Sequence, residues 1–450
     1  MKRRSFLNLI AASILFIAGC AGIAPRESSY PPIVFVHGHG DTASSWTNTI
    51  WRFESNGWPR DRLFALDTVF PMSRSEDTKP QEGRSSTAEH TAQVAAEVER
   101  VRRITGARKV VLVGHSRGGS AIRDYIRNGA GSAAVSHAIL AGTPNHGVWI
   151  GDYLPGSEFN GAGPFLSALN KPQGPDGLEV TPGVAFMTIR SDNHDRFTQP
   201  DGRWIGQPKL QTNASHDGPA LEGAENIVLP GADHRETAFG RDAFIHTYRF
   251  ITGRLPERAE IVSEPAIVLN GKVSGSLGST PTNLPVAGAA VEIFEVSSQT
   301  GERLWGPAHA KLAVADGMWG PFAAKPDAFY EFVIRADGYA ITHIYRSPFP
   351  RSSEIVHLRL GSLTAEDRSA TSVVEMIRRQ GYLALGRGRM SLDGKSPPGI
   401  VSGVPGNTTS TLRLNEPAMR SLVAEVNEER IVVKTWPAQE NHLVRAVFHY

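Results

Sequence analysis

Val110-Val111-Leu112-Val113-Gly114-His115-Ser116-Arg117-Gly118 writes a strand, a sharp turn and the start of a helix into consecutive residues. The four leading apolar residues suit a strand buried on both faces, as in a parallel sheet. Gly114 and Gly118 flank Ser116 with the spacing G-x-S-x-G, and His115 and Arg117 fill the variable places. Glycine is needed there because the turn is too tight for side chains, and the strain lifts the serine hydroxyl above the sheet edge. A helix running from Gly119 to about Asn128 then points its positive end at the hydroxyl, where negative charge would develop in acyl transfer. The pattern occurs once in the chain, and this strand-to-helix context makes Ser116 a candidate nucleophile.

Outward from this turn, strand and helix signals alternate from Arg26 to about Gly253. Ile33-Val34-Phe35-Val36, Leu63-Phe64-Ala65-Leu66, His137 to Ala141, Ala185 to Ile189 and Asn226 to Leu229 read as further strands. Ser86-Thr87-Ala88-Glu89 has capping-box spacing, with Val94, Val98, Val101 and Ile104 at helical intervals until Gly106. A closing helix over about 237–251 would bury Phe244, Tyr248 and Ile251. Alternation of this kind predicts a mostly parallel sheet covered by helices on both faces. After Pro256 the period changes to two. Val291 and Ile293, then Tyr330, Phe332 and Ile334, alternate with outward residues between Gly, Pro, Asn and Asp turns. Tyr382 to Leu385, Thr411 to Leu414, Ile431 to Val433 and Val444 to Val447 read as strands too. The expected organisation is a signal over 1–19, a linker over 20–30, an α/β domain over 31–257 and a β domain over 262–450. A sub-boundary near 360 is left open.

With 47 Lys+Arg against 45 Asp+Glu and no basic run beyond the first residues, nucleic acid is not an expected partner. The N-terminus, Lys2-Arg3-Arg4-Ser5-Phe6-Leu7, resembles a twin-arginine export signal, and Ile17-Ala18-Gly19-Cys20 resembles a bacterial lipobox. That resemblance implies cleavage after Gly19 and lipid modification of Cys20, the only cysteine in the chain. It places the protein in the cell envelope, lipid-anchored at the outer membrane or extracellular face, or released from it. The sequence leaves the oligomeric state open.

The general base should follow the last strand of the sheet. His234, in Gly231-Ala232-Asp233-His234-Arg235-Glu236, has that position, with His246 and His216 as rivals. The orienting acid belongs on the loop Ser191-Asp192-Asn193-His194-Asp195-Arg196-Phe197-Thr198-Gln199-Pro200. Asp195 and Asp192 are the candidates there, and both could instead be turn-forming aspartates. Asp233 adjoins the histidine in sequence and is a poor geometric partner for it. His37-Gly38-His39-Gly40 follows the first strand. As H-x-H it could hold a metal, but no third ligand has matching spacing, so none is expected. The His37 ring is better suited to bracing its loop.

These motifs, with Ala141-Gly142-Thr143-Pro144-Asn145-His146-Gly147, resemble those of bacterial α/β-hydrolase lipases and esterases. The resemblance covers about half of the chain. It implies a Ser116–Asp195–His234 triad, an oxyanion hole made by the backbone N–H groups of His39 and Arg117, and no cofactor. The Asp195 loop is similar to the D-x-x-V/T-x-P loop of many lipases. Some relatives carry the acid before the G-T-P segment, where this chain has Ala141-Gly142. The stretch from Gly271 through Gly288 to Val291 and on to Ala336 to Tyr339 resembles a transthyretin-like or carboxypeptidase-regulatory-like sandwich. The two-domain layout is similar to an archaeal long-chain lipase whose β domain contacts lipid. The expected activity is therefore hydrolysis of acylglycerol-type esters by a lipase or carboxylesterase, with a lipid or other insoluble ester as partner. A polyester depolymerase, an acyltransferase and an envelope binding module with a vestigial hydrolase domain are the alternatives. Apolar residues between Gly147 and Gly183, among them Trp149, Phe159, Leu166 and Leu169, suit either a lid or a packed crossover. Trp46, Trp51 and Trp58 could line the cleft or pack beneath it.

Overall fold

The computed structural model describes residues 30–173, 176–205 and 207–450. The export signal and Cys20 lie outside the described residues. Six strands, β1 (Ile33–Val36), β2 (Leu63–Leu66), β3 (Val110–His115), β4 (Val135–Ala141), β5 (Ala185–Ser191) and β6 (Glu225–Leu229), form one sheet in the order β6-β5-β4-β3-β1-β2. Every pairing in it is parallel. Strand alternation sends Ile33, Phe35, Val111, Val113 and Ile139 into one core and Val34, Val36, Val110, Leu112 and Leu140 into the other. Both faces are therefore dry, which is why these strands read as unbroken apolar runs.

Helices α1 (Thr47–Ser55) and α5 (Arg241–Thr252) cover the first face through Phe53, Phe244 and Tyr248. Helices α2 (Thr87–Thr105) and α3 (Arg117–Asn128) cover the second through Val94, Val98, Val101, Ile122 and Ile126. The capping box of α2 is formed as the spacing predicts, and Gly106 ends the helix at φ 69°. A short helix, α4 (Pro164–Leu169), packs Leu166 and Leu169 into the fold beside α3. The expected single closing helix is broken. One turn spans Glu236–Phe239, Gly240 is extended, and α5 begins at Arg241. A side chain at Gly240 would meet the Glu236 carbonyl at 2.5 Å, so this break requires glycine.

The rest of the chain is built on one seven-stranded sheet. Its strands are β7 (Ala290–Val296), β8 (His309–Leu312), β9 (Phe329–Arg335), β10 (Ile341–Arg346), β11 (Ser372–Arg378), β12 (Thr409–Leu414) and β13 (His442–Phe448), in the order β8-β7-β9-β10-β13-β11-β12. The last strand thus lies in the middle, parallel to both neighbours. Ile293, Phe332, Ile334 and Ile344 fill a core on one face, and Phe294, Val333, Tyr345 and Met376 fill another on the opposite face. Smaller sheets close each core, Val273 and Leu358 on one side and Leu422, Ala424 and Ile431 on the other. The sheet continues across residue 360 without a seam. Tyr382 to Leu385, expected as a strand, is a loop with isolated bridges at Leu383 and Leu385. Its backbone is used against the first domain instead.

Trp46 and Trp58 are buried in the α/β core, and Trp51 packs into the β domain while donating its Nε1 hydrogen to the Ser352 carbonyl at 2.9 Å. All three tryptophans are packing residues. Among the described residues no helix is long and apolar enough to cross a membrane.

Candidate active site

Ser116 stands between β3 and α3 with φ 52° and ψ −122°, a conformation that L residues rarely adopt. Its N–H is tied to the Ala141 carbonyl at 2.8 Å. The flanking glycines are sterically required. A Cβ at Gly114 would sit 2.7 Å from the Gly119 nitrogen, and one at Gly118 would sit 2.5 Å from the Val36 carbonyl oxygen.

The structure brings Asp195 to His234. Nδ1 of His234 donates to Asp195 Oδ2 at 2.6 Å, with both residues buried. Asp195 Oδ1 accepts the Phe197 N–H at 2.9 Å, which fixes the carboxylate plane, and the Phe197 ring packs edge-on to His234 at 5.0 Å. Asp192 is engaged elsewhere: it accepts from the His194 ring at 2.7 Å and from the Gly231 N–H at 2.9 Å. The carbonyl of His234 accepts from His115 Nε2 at 3.1 Å and from Thr237 Oγ1 at 2.7 Å, so the elbow and the histidine loop are joined through backbone. No hydrogen bond joins Ser116 Oγ to His234 among the described residues. His246 lies within α5, and His216 lines the cavity beyond the triad residues.

His37 donates from Nδ1 to the Gly38 carbonyl at 2.9 Å and accepts the Thr68 N–H on Nε2 at 3.1 Å, both inside the fold. It braces the turn. His39 accepts the Ser73 N–H on Nδ1 at 3.1 Å, and burial, aided by the charges of Arg117 and Arg84, pulls its pKa down to about 3. Its ring is thus neutral, and Phe159 from the 147–183 segment packs edge-on to it. The backbone N–H groups of His39 and Arg117 have no protein partner among the described residues.

The Arg117 side chain, 1% exposed, runs beneath the elbow and ion-pairs with Glu158, 3% exposed. It also donates to Ser85 Oγ at 2.9 Å, the Ser85 carbonyl at 2.8 Å and the Pro71 carbonyl at 3.2 Å. Trp149, Phe159, Phe197 and Trp204 then form a chain of edge-on rings that ends at His234. The segment after Gly147 therefore does two jobs: its first part walls the site, while α4 packs against α3. A cavity of about 310 Å³ opens from Asp195 and His234 and is lined by Leu140, Pro144, Val148, Ile150 and Ile189, with Asn145, Asn213 and His216 at polar points.

Two groups of residues at this site escaped the reading of the sequence. Asp41 pairs with Arg235 at 2.8 and 3.1 Å, beside the elbow histidine His115. Asp233 is fully buried and accepts the N–H groups of Arg235 (2.8 Å), Glu236 (2.9 Å) and, from the β domain, Tyr382 (2.7 Å). Arg378 and Arg387 of the β domain reach Glu236 at 2.7 and 2.9 Å. Only the charges themselves hinted at these contacts, since residues about 150 positions apart carry no local signal.

Residues 30–147 match the family described as Lipase (class 2), and residues 266–363 match the Lipase C-terminal domain. Among solved structures, the chain is similar to Aspergillus fumigatus lipase B, with 15% identity and TM-score 0.36 over 53% of this chain and 56% of that one. It spans little more than half of that lipase. The Bacillus licheniformis lipase BlEst2 in propeptide form is similar at 14% identity and TM-score 0.36, over 90% of this chain and 96% of that one. The Paleococcus ferrophilus monoacylglycerol lipase is similar at 12% identity and TM-score 0.33, over 50% of this chain and 96% of that one.

Proposed function

We propose that the chain, whose residues 30–147 and 266–363 match Lipase (class 2) and the Lipase C-terminal domain, is a carboxylic ester hydrolase that cleaves acylglycerol-type esters through Ser116, His234 and Asp195. The observation that carries this reading is the 2.6 Å His234–Asp195 bond beside a serine held on a strained elbow. Ser116 Oγ attacks the acyl carbon as His234 Nε2 takes its proton. The tetrahedral oxyanion is held by the N–H groups of His39 and Arg117, two fixed dipoles at the positive end of α3. His234 then returns the proton to the departing alcohol. Water repeats the cycle on the acyl-enzyme and releases the acid. Asp195 holds the imidazole in the tautomer with Nδ1 protonated and stabilises its cation. The serine and imidazole must come into hydrogen-bond reach when substrate binds, a closure that free enzymes often leave to the complex.

Phe197, with Leu140, Val148, Ile150 and Ile189, gives an acyl chain an apolar cavity wall beside His234 and Asp195. Anchoring through a lipid on Cys20 would hold the enzyme at a surface where such esters concentrate. The test is hydrolysis of nitrophenyl esters of graded chain length by the wild type and Ser116→Ala. Cleavage that disappears in the variant supports the assignment. An active Ser116→Ala protein removes it. Replacement of Cys20 by serine, followed by membrane fractionation, tests the anchor: a protein that stays in the membrane fraction refutes it.

A further inference from the structure

Between the two domains, behind the oxyanion turn, lies a second cavity of about 220 Å³. Gly40, Asp41 and Thr42 form its wall on the hydrolase side. Five arginines line it: Arg235, Arg359, Arg378, Arg379 and Arg445. Three of them have carboxylate partners. Arg235 is paired with Asp41 at 2.8 Å, Arg378 with Glu236 at 2.7 Å and Arg445 with Glu375 at 2.6 Å.

The other two do not. Arg359 donates only to neutral groups, the Gly40 carbonyl at 3.2 Å and Asn283 Oδ1 at 2.7 Å, and its Nε is buried without a partner. Arg379 donates to Ser44 Oγ at 2.8 Å, and its Nε is likewise buried and unpartnered. Neither is within ion-pair distance of a carboxylate among the described residues. A guanidinium keeps its charge at any ordinary pH, so two positive charges in this cavity go uncompensated. Burial and the charges of Arg346 and Arg359 pull Arg379 down to about 9. Asp41 and Asp67, the acids whose charges act on Arg359, are paired with Arg235 and Lys272.

We propose that this interdomain cavity binds a small doubly charged tetrahedral oxyanion, of the phosphate or sulfate class, between the forks of Arg359 and Arg379. Two uncompensated guanidinium groups match a dianion, and their N–H forks match its paired oxygens. Gly40 to Thr42 belong to one domain and Arg359, Arg378 and Arg379 to the other. The anion therefore bridges the domains two residues beyond His39, at the back of the proposed oxyanion hole. It touches no reacting atom and acts as a structural ligand. The same oxyanion could be a free ion or the headgroup of an anionic lipid.

The test is thermal unfolding of the full chain against inorganic phosphate, with ionic strength held constant by sodium chloride. The wild type should gain about 3 °C and then saturate. Arg379→Met and Arg359→Met should each lose that gain, and Arg379→Met should melt no lower than the wild type in chloride alone, because an unpaired buried charge has been removed. General salting effects persist in the variants, so an equal rise in all three proteins overturns the proposal. No rise in the wild type overturns it as well. A parallel titration with a short-chain phosphatidate below its micelle concentration separates the sources. Response to phosphate alone assigns a free ion, and response to both assigns a lipid headgroup.

Discussion

Glu158→Gln is the substitution that most directly tests how the elbow is held. The wild-type carboxylate sits 3% exposed against an Arg117 guanidinium that is 1% exposed. Glutamine keeps the shape and an acceptor oxygen but removes the compensating charge. Breaking a buried pair on one side costs about 3–5 kcal/mol. Arg117 retains its bonds to Ser85 Oγ, the Ser85 carbonyl and the Pro71 carbonyl, which places the expected loss at the low end, about 3 kcal/mol. That corresponds to a fall in Tm of about 6–12 °C for a domain of this size.

The opposite substitution is not its mirror image. Burial pushes the Glu158 carboxyl upward even beside Arg117. In Arg117→Met the acid is free to protonate and lose its charge, whereas arginine in Glu158→Gln has no such escape. Arg117→Met should therefore cost less than Glu158→Gln near pH 6. A carboxyl whose pKa is raised in the folded state supports folding at low pH and withdraws that support as pH rises through its folded value, so the Arg117→Met deficit should grow with pH. The double variant Arg117→Met/Glu158→Leu should recover most of the loss. Urea unfolding of the four proteins at several pH values measures all of this. A Glu158→Gln cost under about 1 kcal/mol, or equal costs for both single variants at every pH, would refute the reasoning. Because Phe159 packs on the His39 ring, Glu158→Gln should also raise KM for nitrophenyl esters.

Asp195→Asn should lower kcat by about 10⁴ with little change in KM, since the imidazole loses its tautomer; a residual rate near wild type would return the role to another acid. Burial raises the Asp41 carboxyl, but the charge and hydrogen bonds of Arg235 outweigh it and leave the pKa at about 2, below the ordinary 3.8. A depressed carboxyl stabilises the fold above its unfolded pKa and loses that support as pH falls through the folded one. About 2 kcal/mol should therefore vanish between pH 4 and pH 2, and Arg235→Met should abolish that slope in acid unfolding curves. Arg378→Ala/Arg387→Ala frees Glu236 in the histidine loop and should lower kcat about tenfold with KM nearly unchanged; an unaltered kcat would mean that the loop holds itself.

The parts of the fold that were legible are those whose signal is local. Val110 to Val113 are apolar without interruption because both sheet faces are dry, and Gly114 and Gly118 are glycine because Gly119 and the Val36 carbonyl crowd them. Ser86 and Glu89 announced a helix start for the same reason: the bonds are three residues apart. The break at Gly240 was not legible, since the residues before it, Glu236 to Phe239, are themselves a helical turn and Phe244 and Tyr248 keep a helical period after it. Nor was the loop at Tyr382 to Leu385. Its apolar residues look like a strand, yet the Tyr382 N–H that would join a ladder is consumed by Asp233. That choice is made by a residue of the other domain. Asp195 and Asp192 illustrate the same limit at the site, because both sit on one loop and, although Asp195 has the motif spacing, only the positions of Gly231 and His194 show that Asp192 is engaged elsewhere.

The Asp233–Tyr382 bond bears on what the β domain is for. His234 is flanked by two residues that both face the second domain: Asp233 accepts the Tyr382 N–H, and Arg235 donates from Nε to the Arg379 carbonyl at 2.7 Å. Three arginine or backbone contacts from residues 378–387 also reach Gly231 and Glu236. A loop of six residues carrying the proposed general base is thus held at both ends by another domain, in addition to its bonds to His115, Asp192, Asp195 and Asp41 within the hydrolase domain. Misplacing a catalytic group by about 1 Å can cost about 10²-fold in rate. On this geometry the β domain shares in positioning the histidine through the residues on either side of it, whatever surface it touches outside. A hydrolase domain freed of residues 262–450 should keep its parallel sheet, whose two cores are its own, yet lose kcat far more than it loses fold. Near-ultraviolet and far-ultraviolet circular dichroism beside ester turnover would separate the two, and full activity in a folded, isolated hydrolase domain would show that the histidine loop needs no such support.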